Sequence, residues 1–337
     1  MSGGVDSTVA ASLLREQGYE VHGFFMLLPL PDLDEQLARV RQVAGQLDLP
    51  LTLIDMRRPF TDEVIAYFTA TYQSGLTPNP CIHCNQAIKF GLLAEAMRSQ
   101  GMDRIATGHY ARIGQRDGQR FVARGADRQK DQSYFLARLD AQQVGRILFP
   151  LGDWTKERIY QRAASLGLRL TGQESQDVCF LTSGLPAFLA GQGLGEQAGP
   201  VVTRDGRRLG EYRGLWRYTI GQRRGLGLPD ATPWYVVGLV GNRVVVGKHE
   251  ELFANRCTVH SLRWTHEPPA LPWRGLVQLR SRHQPASAEL TVAAAAGTWQ
   301  LVFASPQRAL TPGQFAVFYE DDLVVGSAVI AATTETE

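Results

Sequence analysis

Ser2-Gly3-Gly4-Val5-Asp6-Ser7-Thr8 stands at the head of the chain and runs directly into a helical pattern. Two adjacent glycines let backbone N–H groups come close to an anion. A helix N-terminus adds its dipole and its unpaired N–H groups, and Ser2 and Ser7 add hydroxyl donors. A Gly-Gly turn before a helix is usually no more than a turn, but the whole string is far more specific. It lacks the lysine of the G-x-x-x-x-G-K-[ST] loop, so it is not that motif. Working outward, Ser7–Gln17 reads as a helix with Val9, Leu13 and Leu14 on one face and Gly18 as its stop. Val21–Leu27 is a continuous apolar run and reads as a buried strand. Leu37, Val40, Ala44 and Leu47 recur at helical spacing. Leu51–Ile54 and Arg104–Thr107 read as further strands, and Thr61–Tyr72 and Ile88–Met97 as helices. Such alternation predicts an α/β fold, a parallel sheet covered by helices on both faces.

Beyond about Gly191 glycine and proline become frequent and the segments shorten. Trp234–Leu239, Arg243–Val246, Gly275–Arg280, Ala288–Ala293, Trp299–Phe303 and Gln314–Tyr319 read as strands of one small all-β module, a barrel or sandwich. Turn residues separate them at Gly241-Asn242, Ser305-Pro306 and Thr311-Pro312-Gly313. A chain of 337 residues is long enough for two or three domains. Its 44% hydrophobic and 20% charged residues are those of a globular protein. The most apolar run, Phe24–Leu30, is too short to span a membrane. No basic segment followed by an apolar one marks a secretory signal, so no membrane partner and a cytoplasmic location are expected.

The formal net charge of +2 neither supports nor excludes a nucleic-acid partner. Its distribution says more. Arginines at 204, 207, 208, 213, 217, 223 and 224 face only Asp205 and Glu211, with Trp216 and Tyr218 among them. A solvated face is the ordinary reading of such a run. The interleaved aromatics favour a surface for a polyanion.

The four cysteines, Cys81, Cys84, Cys179 and Cys257, are too few for a disulfide framework in a chain this long. Cys257, in an apolar-polar strand, reads as a packed thiol. Cys81-Ile82-His83-Cys84 forms a C-x-x-C in a loop restricted by Pro78 and Pro80, just before a helix. Alone it suits a zinc knuckle or a redox pair, but no second C-x-x-C or histidine pair completes a knuckle. His83 reads as a loop residue. Asp6 has two readings, a Mg²⁺ positioner or a helix N-cap.

The opening loop closely resembles that of the N-type ATP pyrophosphatases, which cleave ATP to AMP and pyrophosphate through an adenylated substrate. In that fold a buried strand precedes the loop and is expected ahead of Ser2. The whole set of motifs resembles one family within it, the transfer RNA-specific 2-thiouridylases. The resemblance covers Ser2–Ser7, Thr77–Phe90, Ala106-Thr107-Gly108-His109-Tyr110-Ala111 and Lys130-Asp131-Gln132-Ser133-Tyr134. It continues through Glu174-Ser175-Gln176-Asp177-Val178-Cys179-Phe180, Tyr218-Thr219-Ile220-Gly221-Gln222-Arg223, Pro233-Trp234-Tyr235-Val236-Val237 and Pro312-Gly313-Gln314.

The resemblance implies ATP-dependent thiolation of the wobble uridine by a chain of three domains; the sequence fixes no oligomeric state, and a monomer is the expectation. These are an ATP pyrophosphatase domain at 1–190, a central RNA-binding domain at 191–255 and a β-barrel at 256–337. It implies that Ser2, Gly3, Gly4, Val5, Asp6, Ser7, Met26 and Gly108 hold ATP with Mg²⁺. Asn79, Pro80 and Cys81 would meet the target base. His109, Lys130, Asp131, Gln132, Arg280, Ser281 and Gln314 would touch the transfer RNA. Cys84 would be the nucleophile and Cys179 the persulfide carrier, charged by a sulfur-donor protein. The chain departs from the best-known members at Cys81, where they carry Asp. Some sulfur-transfer relatives with a C-x-x-C and a distant cysteine hold a [4Fe–4S] cluster, which makes Cys81, Cys84 and Cys179 candidate cluster ligands. Two competing classes remain. One is a synthetase that amidates an adenylated small molecule, for which the arginine run, the barrel and the cysteines have no task. The other is an RNA-binding protein without catalysis, which the intact loop and three cysteines oppose.

Overall fold

The computed structural model describes residues 1–167 and 178–331. Strands β1 (Gly23–Leu27) and β2 (Leu51–Asp55) pair in parallel from Gly23↔Leu51 to Leu27↔Asp55. Strands β3 (Ile105–Ala106) and β6 (Ile147–Leu148) form a second parallel pair. Phe24 and Phe25 are adjacent yet both buried, so β1 is covered on its two faces, as its continuous apolar run requires. The helices Val5–Glu16 and Leu33–Gln46 fall where the apolar spacing places them.

Two further helical stretches are longer than their apolar periodicity suggests, because each contains a wide π turn. One runs from Arg57–Phe60 through Thr61–Ile65 to Ala66–Gln73. The other runs from Pro80–Cys84 through Asn85–Leu92 to Leu93–Ser99. The C-x-x-C is therefore the first turn of a helix rather than a loop before one. Asn79 Oδ1 accepts from Ile82 N at 3.2 Å and caps it. Pro80 sits at the first helical position, where its missing N–H costs nothing. His83 is thus helical, stacked on Tyr67 at 4.8 Å between ring centres.

The second region is a four-stranded sheet in the order β8 (Arg208–Arg213), β7 (Ala198–Thr203), β10 (Arg243–Gly247), β9 (Tyr235–Val240). The segments Trp234–Leu239 and Arg243–Val246 belong here and not to the barrel. The third region is a closed barrel of six strands. In order these are β11 (Phe253–Trp264), β14 (Thr298–Arg308), β13 (Ala286–Val292), β12 (Trp273–Gln278), β15 (Phe315–Glu320) and β16 (Leu323–Ile330), and β16 pairs back onto β11. Closure leaves the barrel no free edge. Cys257 is buried inside it on β11.

The α/β region and the barrel share structure. Hairpin β4 (Ala111–Arg116) and β5 (Gln119–Arg124) extends the barrel sheet, with β5 pairing onto β16 at Ala123↔Leu323. One apolar cluster joins Phe24, Ile82 and Tyr134 to Phe315, Val317 and Tyr319. Tyr134 is fully buried, and its hydroxyl donates to Phe315 O at 3.0 Å. Truncating a buried aromatic of this kind costs about 3–5 kcal/mol.

Candidate nucleotide and sulfur site

The Ser2–Ser7 loop is drawn tight by its own polar atoms. Gly3 has φ +71°, and a Cβ there would meet Val40 N at 3.0 Å, so both the conformation and the space call for glycine. Gly4 stands at the N-cap without a side-chain cap, which leaves the first N–H groups of the helix without a side-chain acceptor. Ser7 Oγ and Thr8 Oγ1 donate to Gly4 O at 3.0 and 2.8 Å, and Ser7 Oγ lies 3.1 Å from Ser2 Oγ. Gly108 abuts the loop from the end of β3. A Cβ on it would meet Asp6 C at 2.9 Å and Ser7 N at 3.0 Å. Met26, near the end of β1, is half-buried.

Asp6 is not the helix N-cap, a position that Gly4 takes. Its carboxylate turns sideways, accepting from Tyr110 Oη at 2.6 Å and from Lys156 Nζ at 2.9 and 3.1 Å. Lys156 opens the helix Lys156–Ser165, about 150 residues away in the chain. Sequence reading misses it. The only local signal is Thr155-Lys156-Glu157, which reads as an ordinary helix start.

Cys81 is half-buried, Cys84 is buried and Cys179 is exposed, and all three are free thiols. Their charges are close enough to perturb one another. Burial pushes the Cys84 thiol up to about 11, opposed by the Lys89 ammonium and assisted by Cys179 and Cys81. Burial also raises Cys81, again opposed by Lys89. Cys179 has an exposed side chain, but the protein crowded behind it still desolvates the thiol and raises it, with Lys89 opposing. Lys89, in the π turn after Cys84, is the cation common to all three, and sequence reading gave it no role. Leu30, Phe60, Phe68, Phe180 and Trp216 form the apolar wall around Cys84. The donor chemistry of three thiols suits a [4Fe–4S] cluster. Among the described residues, however, no three of His, Cys, Asp or Glu stand as a metal-holding group. The expected cluster has no preassembled ligand set. Residues 174–177 of the Cys179 motif lie outside the described residues.

Family models cover almost the whole length. A tRNA methyl transferase HUP domain matches residues 1–183, a tRNA methyl transferase PRC-barrel domain 187–248 and an aminomethyltransferase beta-barrel domain 254–330. The chain is 44% identical over 336 residues to the tRNA-specific 2-thiouridylase MnmA of Desulfotalea psychrophila, covering 98% of this chain and 97% of that one. It is 42% identical to proteins of the same name from Syntrophotalea carbinolica, over 342 residues, and Chloroflexus aggregans, over 352, again with 98% and 97% covered. The chain belongs to the tRNA-specific 2-thiouridylase family.

The residues expected to meet RNA in this family member are less free than their positions suggest. Asn79 is occupied as a helix cap. Gln314 Nε2 donates to Thr77 O and Pro78 O, both at 3.0 Å, and Thr77 N donates to Pro312 O at 3.0 Å. The barrel thus holds the segment leading into the C-x-x-C. Asp131 Oδ1 accepts from Gly125 N at 2.9 Å and Ser133 N at 3.1 Å, and its carboxylate faces Arg124 at 3.7 Å. Gln132 Oε1 accepts from Tyr110 N at 3.0 Å, and Lys130 N donates to Asp127 O at 3.1 Å. His109 Nδ1 lies 2.8 Å from Thr107 Oγ1. Burial, then Lys89, holds its pKa well below the usual histidine value. Arg280 Nη2 donates to Arg308 O at 3.1 Å, and burial and Arg308 lower its pKa. Ser281 O accepts from Gln278 Nε2 at 3.0 Å.

The arginine run divides. Arg204, Arg208 and Arg217 pair with Glu251, Glu211 and Glu196. Trp216 is buried in the apolar cluster that contains Cys84, with the Arg217 guanidinium over its ring at 4.5 Å. Arg223 and Arg224 are exposed, next to half-buried Gln222.

Proposed function

We propose that this protein exchanges O2 of the wobble uridine of transfer RNA for sulfur, splitting ATP to AMP and pyrophosphate. The observation that carries the reading is the conjunction of a lysine-free phosphate loop, sealed by Gly108, with three thiols that feel one another and one shared cation. The names and near-complete coverage of the relatives support the substrate. Oxygen at C2 is a poor leaving group until it is adenylated. The loop N–H groups would take the charge that develops on the departing pyrophosphate, and Mg²⁺ arriving with ATP adds neutralisation. Met26 and Gly108 would border the nucleotide.

The uridine leaves the anticodon stack to reach Asn79–Cys81. A persulfide on Cys179, delivered by a persulfide-carrying partner protein, supplies the sulfur. The Cys84 thiolate attacks Cys179 Sγ. Hydrosulfide leaves as the Cys84–Cys179 disulfide forms, and hydrosulfide then displaces AMP at C2. An external dithiol reduces the disulfide for the next turnover. Cys81 lies beside this pair, and the reading runs through the thiols alone. Adenylation and sulfur transfer would fall to 1–190 and RNA binding to 191–255 and 256–337, in a cytoplasmic protein. His109, Lys130–Gln132, Arg280, Ser281 and Gln314 would shape the surface against which the RNA sits.

The test is incubation of protein purified without air with transfer RNA, ATP, Mg²⁺ and a sulfide or persulfide source. Nucleosides are read by mass spectrometry and iron is assayed on the same sample. The expected products are 2-thiouridine, AMP and pyrophosphate. Formation of ADP and phosphate, or no thionucleoside, would sink the reading. Iron in cluster amounts, lost with activity in Cys81→Ala, would replace the thiol pair by a cluster on Cys81, Cys84 and Cys179.

A further inference from the structure

Arg138 stands between the short helical turn Ser133–Leu136 and the helix Ala141–Val144, where the α/β region meets the barrel. Its Nη1 donates to Ser261 O at 2.7 Å, at a bulge of β11 where Ser261 takes φ +52°. A non-glycine residue held in that left-handed conformation costs free energy, and such residues gather at ligand-gripping sites. The guanidinium lies 5.5 Å from the centre of the Phe315 ring. A guanidinium carries five N–H donors in a rigid fork. Among the described residues Ser261 O is the one acceptor that Arg138 has, and no carboxylate pairs with it.

Asp140, two residues along, is already engaged. Its Oδ2 faces Arg263 Nη2 at 3.3 Å, and its Oδ1 accepts from Gln143 N at 2.9 Å. Burial, then the like charge of Arg263, pulls the Arg138 pKa down to about 10, which leaves it charged at neutral pH. His260 Nδ1 lies 2.9 Å from Ser261 Oγ, and burial, then Arg138, holds the imidazole below its ordinary value. A largely desolvated cation without a counter-ion is unfavourable by itself and becomes favourable when an anion arrives. The planar fork matches a phosphate in two-pronged fashion.

The place of this cation says which phosphate. Its charge is felt by the Tyr67 phenol, which lies against the Asn79 backbone, and the Tyr67 ring stacks on His83 of the C-x-x-C turn. Resting on the thiolation reading above, which brings the uridine to Asn79–Cys81, we propose that Arg138 is a phosphate clamp for RNA. Its open fork grips a backbone phosphate flanking the target uridine, with Arg263 adding charge behind it and Ser261 fixing its position. The strand is thereby held while the base is splayed out of the stack.

The test measures binding of an anticodon stem-loop RNA across a range of salt, for wild-type protein and for Arg138→Gln, which keeps a donor for Ser261 O. Loss of the charge-assisted contact should raise Kd about tenfold or more. The slope of affinity against salt should fall by about one unit, and KM for ATP should not move. A brace between barrel and α/β region would lower the melting temperature without changing the slope, and an unchanged slope overturns the proposal. Neutral methylphosphonates placed in turn at the two linkages flanking the target uridine locate the contact. One of them should weaken wild-type binding and have no further effect in Arg138→Gln. Wild-type binding that is indifferent to both overturns the proposal without any variant, which covers the case where Arg138→Gln does not fold. Millimolar inorganic phosphate that binds wild-type protein but not Arg138→Gln, with no coupling to either linkage, also overturns it and makes the site one for a free anion. A wild-type protein that binds the RNA but forms no 2-thiouridine refutes the parent reading, and the binding data still decide the clamp.

Discussion

The Ser2–Ser7 loop and the Cys81–Cys84 turn each begin a helix, and each starts with residues that restrict the backbone. What they present differs. The loop leaves the first N–H groups of its helix without a side-chain cap, in a geometry that Gly3 and Gly108 make obligatory. The turn buries its reactive atom, and the Cys84 thiol, pushed up to about 11, is protonated at neutral pH. Backbone dipoles need no activation, so a site built from them can be complete before its ligand arrives. A thiol becomes a nucleophile only as a thiolate, and a buried one stays inert until a cation or a change of surroundings favours ionisation. One half of the site is prepared and the other is held back. This order suits an enzyme that must not release sulfide before the base is adenylated.

The separation is most exposed to Cys84→Ser. Thiolation should fall by roughly a thousandfold or more while AMP and pyrophosphate formation continues. An equal loss of both would show that the two halves are one unit. The converse change, Gly108→Val, drives a side chain into the backbone of Asp6 and Ser7. It should cost about a hundredfold in kcat/KM for ATP, on the scale of a 1 Å misplacement, with the alkylation rate of Cys84 unaltered. Altered alkylation would mean that strain at the loop travels to the thiols.

The ionisation claim has its own check. Below its raised pKa, the thiolate fraction of Cys84 grows about tenfold per pH unit. The rate of Cys84 alkylation should therefore climb steadily from pH 7 to 9 without a plateau. Adding transfer RNA and ATP should move the curve to lower pH. A plateau by pH 8 in the free protein would remove the contrast between the two halves. The smallest effect concerns the surface. Arg223→Glu with Arg224→Glu should weaken transfer RNA binding and reduce the slope of affinity against salt by about one unit per lost phosphate contact. KM for ATP should not move. An unchanged slope makes these arginines an ordinary solvated face.

The phosphate loop was legible because its logic is local: glycines, hydroxyls and a helix start lie within seven residues. The C-x-x-C was equally visible, although its helix was not, because Asn79 and Pro80 read as loop residues until the cap is seen. Contacts across the chain left no local mark. Lys156 meets Asp6 over 150 residues and Gln314 meets Thr77 over 237, and each side chain alone reads as one more polar group facing water. Trp216 reads with the arginines around it and does carry Arg217 over its ring, but the apolar cluster that buries it draws on other segments, Cys84 and Phe180 among them. Strands were found more easily than their partners. β9 and β10 look like any barrel strands, and their neighbours β7 and β8 carry little alternation. β16 was missed because Gly326 interrupts its apolar run. That glycine is needed where a Cβ would stand 2.7 Å from Arg263 O, a close approach invisible in one dimension.

The hairpin β4–β5 has a consequence for how the molecule comes into being. Residues 111–124 belong to the first region by chain order, but they add to a sheet whose strand β16 is synthesised near the end. Tyr134 likewise waits for Phe315 and Tyr319 to close its surroundings. On a ribosome, the amino-terminal portion would emerge with an apolar face still uncovered and could only condense once some two hundred further residues had followed. Pairings over such sequence separations are slow, because the connecting chain must be ordered before the contact repays it. The nascent protein would therefore depend on chaperones over that interval. A fragment ending before Phe315 would be sticky rather than merely inactive.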